Sequence, residues 1–172
     1  ECAGLGTNTI PTPILFEDTV TVMSGHRNPK IMAIELGREG DLTDTDAVRW
    51  SSTKGVPYTA SPVLRGTELY ALQDRGMLSM FDIRTGEVAY LEQRLPRGLL
   101  FKASPVGIGD DLYLLSETGE VVLVGMGPEF AVKATLPPLD DEMVLASPVV
   151  VGGEIFLRSL KNLYCIGAGG SE

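Results

Sequence analysis

Aromatic side chains make up only 6% of the 172 residues, histidine occurs once and cysteine twice. Cys2 and Cys165 stand near opposite ends, without the close pairing that zinc sites use, and two cysteines do not decide a redox compartment. No apolar stretch approaches the roughly 18 residues a membrane helix needs, and no basic-then-apolar secretion signal opens the chain. It begins Glu1-Cys2-Ala3-Gly4 without an initiator Met, so the expectation is a trimmed product or further sequence upstream. Positive charge is also scarce: 14 Lys and Arg against 23 Asp and Glu give a net charge of -9, which repels a phosphate backbone. The densest basic stretch, Arg94, Arg97 and Lys102, reads as a solvated loop, and nucleic acid is not an expected partner.

What the chain does have is turn chemistry and apolar content. Twenty glycines and eleven prolines amid 44% hydrophobic residues point to many short strands joined by tight turns, an all-β class with a real core. A repeat organises them. Ala60-Ser61-Pro62-Val63 returns as Ala103-Ser104-Pro105-Val106 and as Ala146-Ser147-Pro148-Val149, a period of 43 residues. Leu69-Tyr70, Leu112-Tyr113 and Ile155-Phe156 keep the same phase, as do Gly76, Gly119 and Asn162. A looser copy begins at Pro11-Thr12-Pro13-Ile14, with about six extra residues before the next copy.

Within one repeat, Ser61 to Leu64 and Glu68 to Gln73 read as strands around Arg65-Gly66-Thr67, and Met77 to Asp82 and Glu87 to Glu92 as two more around Ile83-Arg84-Thr85-Gly86. The turns at Asp74-Arg75-Gly76, Glu117-Thr118-Gly119 and Lys161-Asn162 place Gly or Asn where a positive φ is expected. Four-stranded meanders of this length are the signature of β-propeller blades. The expected blades lie near 10–50, 57–95, 101–138 and 144–167.

Met80-Phe81-Asp82-Ile83-Arg84-Thr85-Gly86-Glu87-Val88-Ala89-Tyr90 resembles the docking motif of the pyrroloquinoline-quinone-like (PQQ-like) propeller repeats, in which Ala-x-Asp-x-x-Thr-Gly leads to Trp. Asp82, Thr85 and Gly86 match; Tyr90 replaces the Trp and Met80 the Ala. The first repeat keeps Ala33-Ile34-Glu35 and ends at Trp50, the only Trp, after an insertion Gly37 to Asp46, while the third reads Leu123-Val124-Gly125 and has lost most of the motif. The resemblance implies a structural job: turn residues Asp82 and Thr85 cap a hairpin, and the aromatic, Trp50 or Tyr90, packs against a neighbouring blade. The family spans quinoprotein dehydrogenases, with PQQ and calcium near the ring axis, and non-enzymatic relatives such as a propeller lipoprotein of bacterial outer-membrane protein assembly. It implies a periplasmic or extracellular location and leaves function open.

The cysteine pair that such dehydrogenases hold above the cofactor has no counterpart here, so no cofactor is expected, PQQ with calcium being the alternative. Asp41, Asp44 and Asp46 offer carboxylates that calcium uses, but without EF-hand spacing, and a solvated acidic insertion is the plainer reading. Asp140-Asp141-Glu142 reads as an acidic connector. His26 and Arg27, with the turn residues Asp74, Arg75 and Glu117, are surface-loop candidates for contact with a ligand; a catalytic His26 would need a partner that the sequence does not supply. Gly125-Met126-Gly127-Pro128 and Gly167-Ala168-Gly169-Gly170 lack the strand-to-helix setting of a phosphate loop.

The reading is a non-catalytic binding or protein-interaction scaffold, with a PQQ- and calcium-dependent dehydrogenase fragment or a glycan- or small-ligand-binding propeller as alternatives. The fourth repeat has three strands and then only Gly167 to Glu172, and Glu1 to Thr9 is a poor closing strand. The expectation is therefore half of a ring of seven or eight blades. Its exposed faces await a protein partner, remaining blades of the same polypeptide upstream, or a second copy through self-association.

Overall fold

The computed structural model describes residues 1–167, and these contain strands and turns with no helix. The first sheet is β1 (Ile14–Phe16), β2 (Thr19–Ser24), β3 (Lys30–Glu35) and β4 (Val48–Ser52). The second is β5 (Val63–Arg65), β6 (Glu68–Gln73), β7 (Met77–Asp82) and β8 (Val88–Arg94). The third is β9 (Val106–Ile108), β10 (Asp111–Leu115), β11 (Val121–Gly125) and β12 (Val132–Leu136). The fourth holds three strands, β13 (Val149–Val151), β14 (Glu154–Arg158) and β15 (Leu163–Gly167). Every sheet is an antiparallel meander in chain order, as adjacent strands joined by tight turns demand.

The register repeats with the sequence. Val63 stands opposite Tyr70, Val106 opposite Tyr113 and Val149 opposite Phe156. The short leading strands lie innermost, where β5 and β9 of neighbouring sheets meet. Gly66, Gly76, Gly109 and Gly119 turn with positive φ, whereas Asn162 does not: the fourth sheet closes through a shorter turn, Ser159 N–H to Asn162 O at 2.9 Å.

Each sheet offers one face to the preceding sheet and the other to the next, so both faces of an inner strand are apolar and strict alternation is lost. Leu69, Ala71, Phe81 and Ile83 pack on Met23, Ile31, Ala33 and Trp50 of the first sheet. Tyr70, Leu72, Leu78, Met80 and Tyr90 pack on Leu112, Leu114, Val122 and Val124 of the third. The last junction is thinner, built on Leu115, Val144 and Leu157 with Ile155 and Tyr164 beside them.

Candidate functional site

The turns between second and third strands, and the connectors that enter each sheet, lie on one side of the molecule and are knitted together there. Phe101 N–H donates to Asp74 O at 2.9 Å and Glu117 N–H to Leu100 O at 2.8 Å. Gly25 sits so near the first connector that a Cβ on it would meet Pro57 O at 2.2 Å. Between these segments opens a groove of about 490 Å³, lined by Val56, Tyr58, Asp74, Arg75, Lys102 and Glu117 among others.

Asp74 is its electrostatic centre. Its carboxylate accepts from the Thr59 N–H at 3.1 Å, from the Thr59 hydroxyl at 2.9 Å and from the Lys102 ammonium. Three donors leave the carboxylate acting as a buckle between turn and connectors, and the hydrogen bond from Lys102 raises that ammonium above the usual lysine range. Lys102 also stands 5.9 Å from the centroid of the Tyr58 ring, within reach of a cation–π attraction. His26, read from sequence as an exposed loop residue, is half-buried and stacks on Tyr58 with centroids 5.2 Å apart. The structure thus brings His26, Asp74, Arg75 and Glu117 to one side and leaves Arg27 exposed beside them, at φ +44°. Tyr58 and Lys102 are site residues that sequence reasoning missed. Their signal was faint: both belong to connectors that vary between repeats.

Trp50, Asp82, Thr85 and Gly86 form a separate constellation on the opposite side. Asp82 Oδ1 accepts the Arg84 N–H at 2.9 Å and Thr85 Oγ1 accepts the Glu87 N–H at 3.2 Å, closing the β7–β8 turn. The Arg84 side chain beside Asp82 holds its carboxyl below the usual range. Trp50, from the first sheet, lies over this turn, donating its indole N–H to Ile83 O at 2.7 Å and stacking on Phe81. Tyr90 meets Phe130, from the segment joining β11 to β12, edge-on at 5.6 Å, but its hydroxyl is buried without a partner among the described residues, and burial pushes its phenol well up. Tyr70 is buried yet satisfied: it donates to Glu68 at 2.6 Å and accepts from Gly127 N–H at 2.7 Å, with a pKa pushed by burial, then by the Glu68 bond, to about 12.

In the insertion, Asp46 pairs with Arg38 and Asp41 accepts the Thr43 N–H; among the described residues no three such side chains converge as a metal set would. Asp140, read as part of a solvated connector, gathers the Tyr164 hydroxyl, the Ser159 hydroxyl and the Asn162 amide instead. Those donors, Tyr164 foremost, hold it down to about 2.

No family model matches the sequence, and no curated protein matches it. Among solved structures, the C-terminal WD40 domain of Sif2 superposes with a TM-score of 0.66 at 12% identity, over 98% of this chain and 48% of that one. BamB from Moraxella catarrhalis gives 0.62 at 16% identity, over 87% of this chain and 42% of its own. The quinohemoprotein alcohol dehydrogenase ADHIIG from Pseudomonas putida HK5 gives 0.60 at 13%, over 90% and 29%. The chain spans less than half the length of each. At such identities the likeness is one of fold, and with consecutive meanders docked face to face it makes this chain a partial β-propeller of successive blades.

Proposed function

We propose that the chain is a non-catalytic, protein-binding propeller segment working outside the cytoplasm, and that it takes its partner on the groove between Tyr58, Asp74, Arg75, Lys102 and Glu117. The observation that carries this reading is how the groove's chemistry is committed. Asp74 and Lys102 are locked to each other and to Thr59, which makes a rigid floor. Exposed Arg75 and Leu100, with half-buried His26, Tyr58 and Glu117, supply mixed charge, an aromatic stack and an apolar edge around it. A rigid floor with a varied rim suits a protein surface, where aromatic and arginine anchors carry most of the energy. The extracytoplasmic location rests on the resemblance to PQQ-like repeats.

A photo-crosslinking side chain placed at Arg75, compared with one at Glu87 in the β7–β8 turn, tests the reading in cells. Adducts to one discrete protein at position 75 and none at 87 are expected. Equal labelling at both positions, or calcium-dependent dye reduction by the chain supplied with PQQ, would refute it.

A further inference from the structure

The two ends of the blade series are finished differently. On the face of β13–β15 turned away from the third sheet, Val149, Val151 and Leu163 are 54%, 59% and 69% exposed. Two of the three have counterparts in the second sheet that the third covers: Leu78, which holds the register position of Leu163, is wholly buried, and Val63, that of Val149, lies against Gly107. At the other end, the outward face of the first sheet shows Leu15, 66% exposed, beside half-buried Val20, Val22 and Ile34. By register Leu15 stands where Leu64 and Gly107 stand in the next two sheets, so Val149 and Leu15 are the two halves of one inner-strand contact.

A chain of hydrogen bonds is open at the same two places. Thr12 N–H donates to Ser61 Oγ at 3.0 Å, Ser61 N–H to Ser104 Oγ at 2.9 Å and Ser104 N–H to Ser147 Oγ at 2.9 Å. Ser147 N–H, last in the series, has no acceptor among the described residues, while Thr12 Oγ1 takes only the Ser61 hydroxyl. The N-terminal segment leaves the junction accessible. Gly4 lies over Met32 and Gly6 N–H donates to Ser24 Oγ, which is how the Gly55 connector lies over Ser79 and Phe81 in the second sheet.

From these matched ends we propose that a second copy of this chain covers the bare face of β13–β15, so that two chains close an eight-bladed ring about a twofold axis. Val149 of each copy meets Leu15 of the other, and Ser147 N–H finds Thr12 Oγ1, closing the serine series. The contact between copies repeats the contact already made within the chain, and each end is the complement of the other. A heterologous contact of this kind closes a ring when the rotation divides the circle, here after two copies.

Sedimentation of the full chain tests this, with Val149→Asp and Leu15→Lys as variants. Both positions are exposed, so circular dichroism and melting of the separated chains should be unchanged. The parent should sediment as a dimer. Each variant alone should sediment as a monomer, with self-association weakened at least about tenfold by a charge at the inner contact. An equimolar mixture should recover a one-to-one dimer, since the aspartate then faces the lysine at one junction and the parent pair survives at the other. A monomeric parent, an open-ended series of larger species, a dimer indifferent to either substitution, or a mixture that stays monomeric would each overturn the proposal.

Discussion

Gly86 meets two demands at once. Its φ is +73°, and a Cβ there would fall 2.7 Å from Trp50 Cδ2, so a side chain is strained by its own backbone and collides with the ring that docks the first blade onto the second. Gly86→Val should destabilise by about 3 kcal/mol, combining backbone strain with overpacking, which lowers the melting temperature by roughly 6 to 12 °C in a chain of this size. An unchanged melting temperature would mean that Trp50 docking on this turn does not stabilise the fold. Tyr90 and Tyr70 make a contrasting pair. The Tyr90 hydroxyl is buried with no partner among the described residues, so Tyr90→Phe should leave stability unchanged or raise it by about 1 kcal/mol. Tyr70→Phe strands the Gly127 N–H and leaves the Glu68 carboxylate to Arg65, and should cost about 1 to 3 kcal/mol in denaturant melts.

Among the elements, legibility followed the physics of each signal. The strands Glu68–Gln73 and Met77–Asp82 were readable to the residue, because glycine-marked turns bound them on both sides. The innermost strand is less so: the sequence pattern places Ser61 and Pro62 in it, whereas pairing begins at Val63, since Ser61 spends its N–H on Ser104 of the next sheet. The outer strand β8 runs on to Arg94, two residues past the reading, because Arg94 stands opposite Met77 and donates to Arg75 O. Of the candidate site, the turn residues were visible as turns, but the groove was not. It depends on Lys102 and Tyr58 arriving from connectors, and a 43-residue repeat says nothing about which connector residues meet. The connector before the fourth sheet carries a pH prediction. Asp140 titrates near 2, below an ordinary aspartate, so its contribution is complete above about pH 4 and is lost as pH falls through 2. Tyr164 ring signals in NMR should therefore shift between pH 4 and 2, and Asp140→Asn should abolish that step; a shift centred above pH 4 would contradict the assignment.

For the molecule as a whole, burial peaks at the second sheet and falls off toward the fourth. The junctions around the second sheet hold wholly buried aromatics, Tyr70, Phe81 and Phe101, while among the described residues the fourth sheet keeps Leu157 as its buried apolar strand residue and β15 has no outer neighbour. Such a gradient predicts graded local stability, because opening free energy follows buried apolar contact. It also makes the fourth sheet responsive to whatever covers its bare face. Hydrogen exchange measured at several protein concentrations tests whether the last face of this run of blades is built to be covered by a first. Amides of β6 and β7 should be the slowest to exchange at every concentration, and those of β13–β15 should exchange fast in dilute solution and slow as concentration rises. Protection of β13–β15 that equals that of β6 and β7 in dilute solution, or that does not change with concentration, would contradict it.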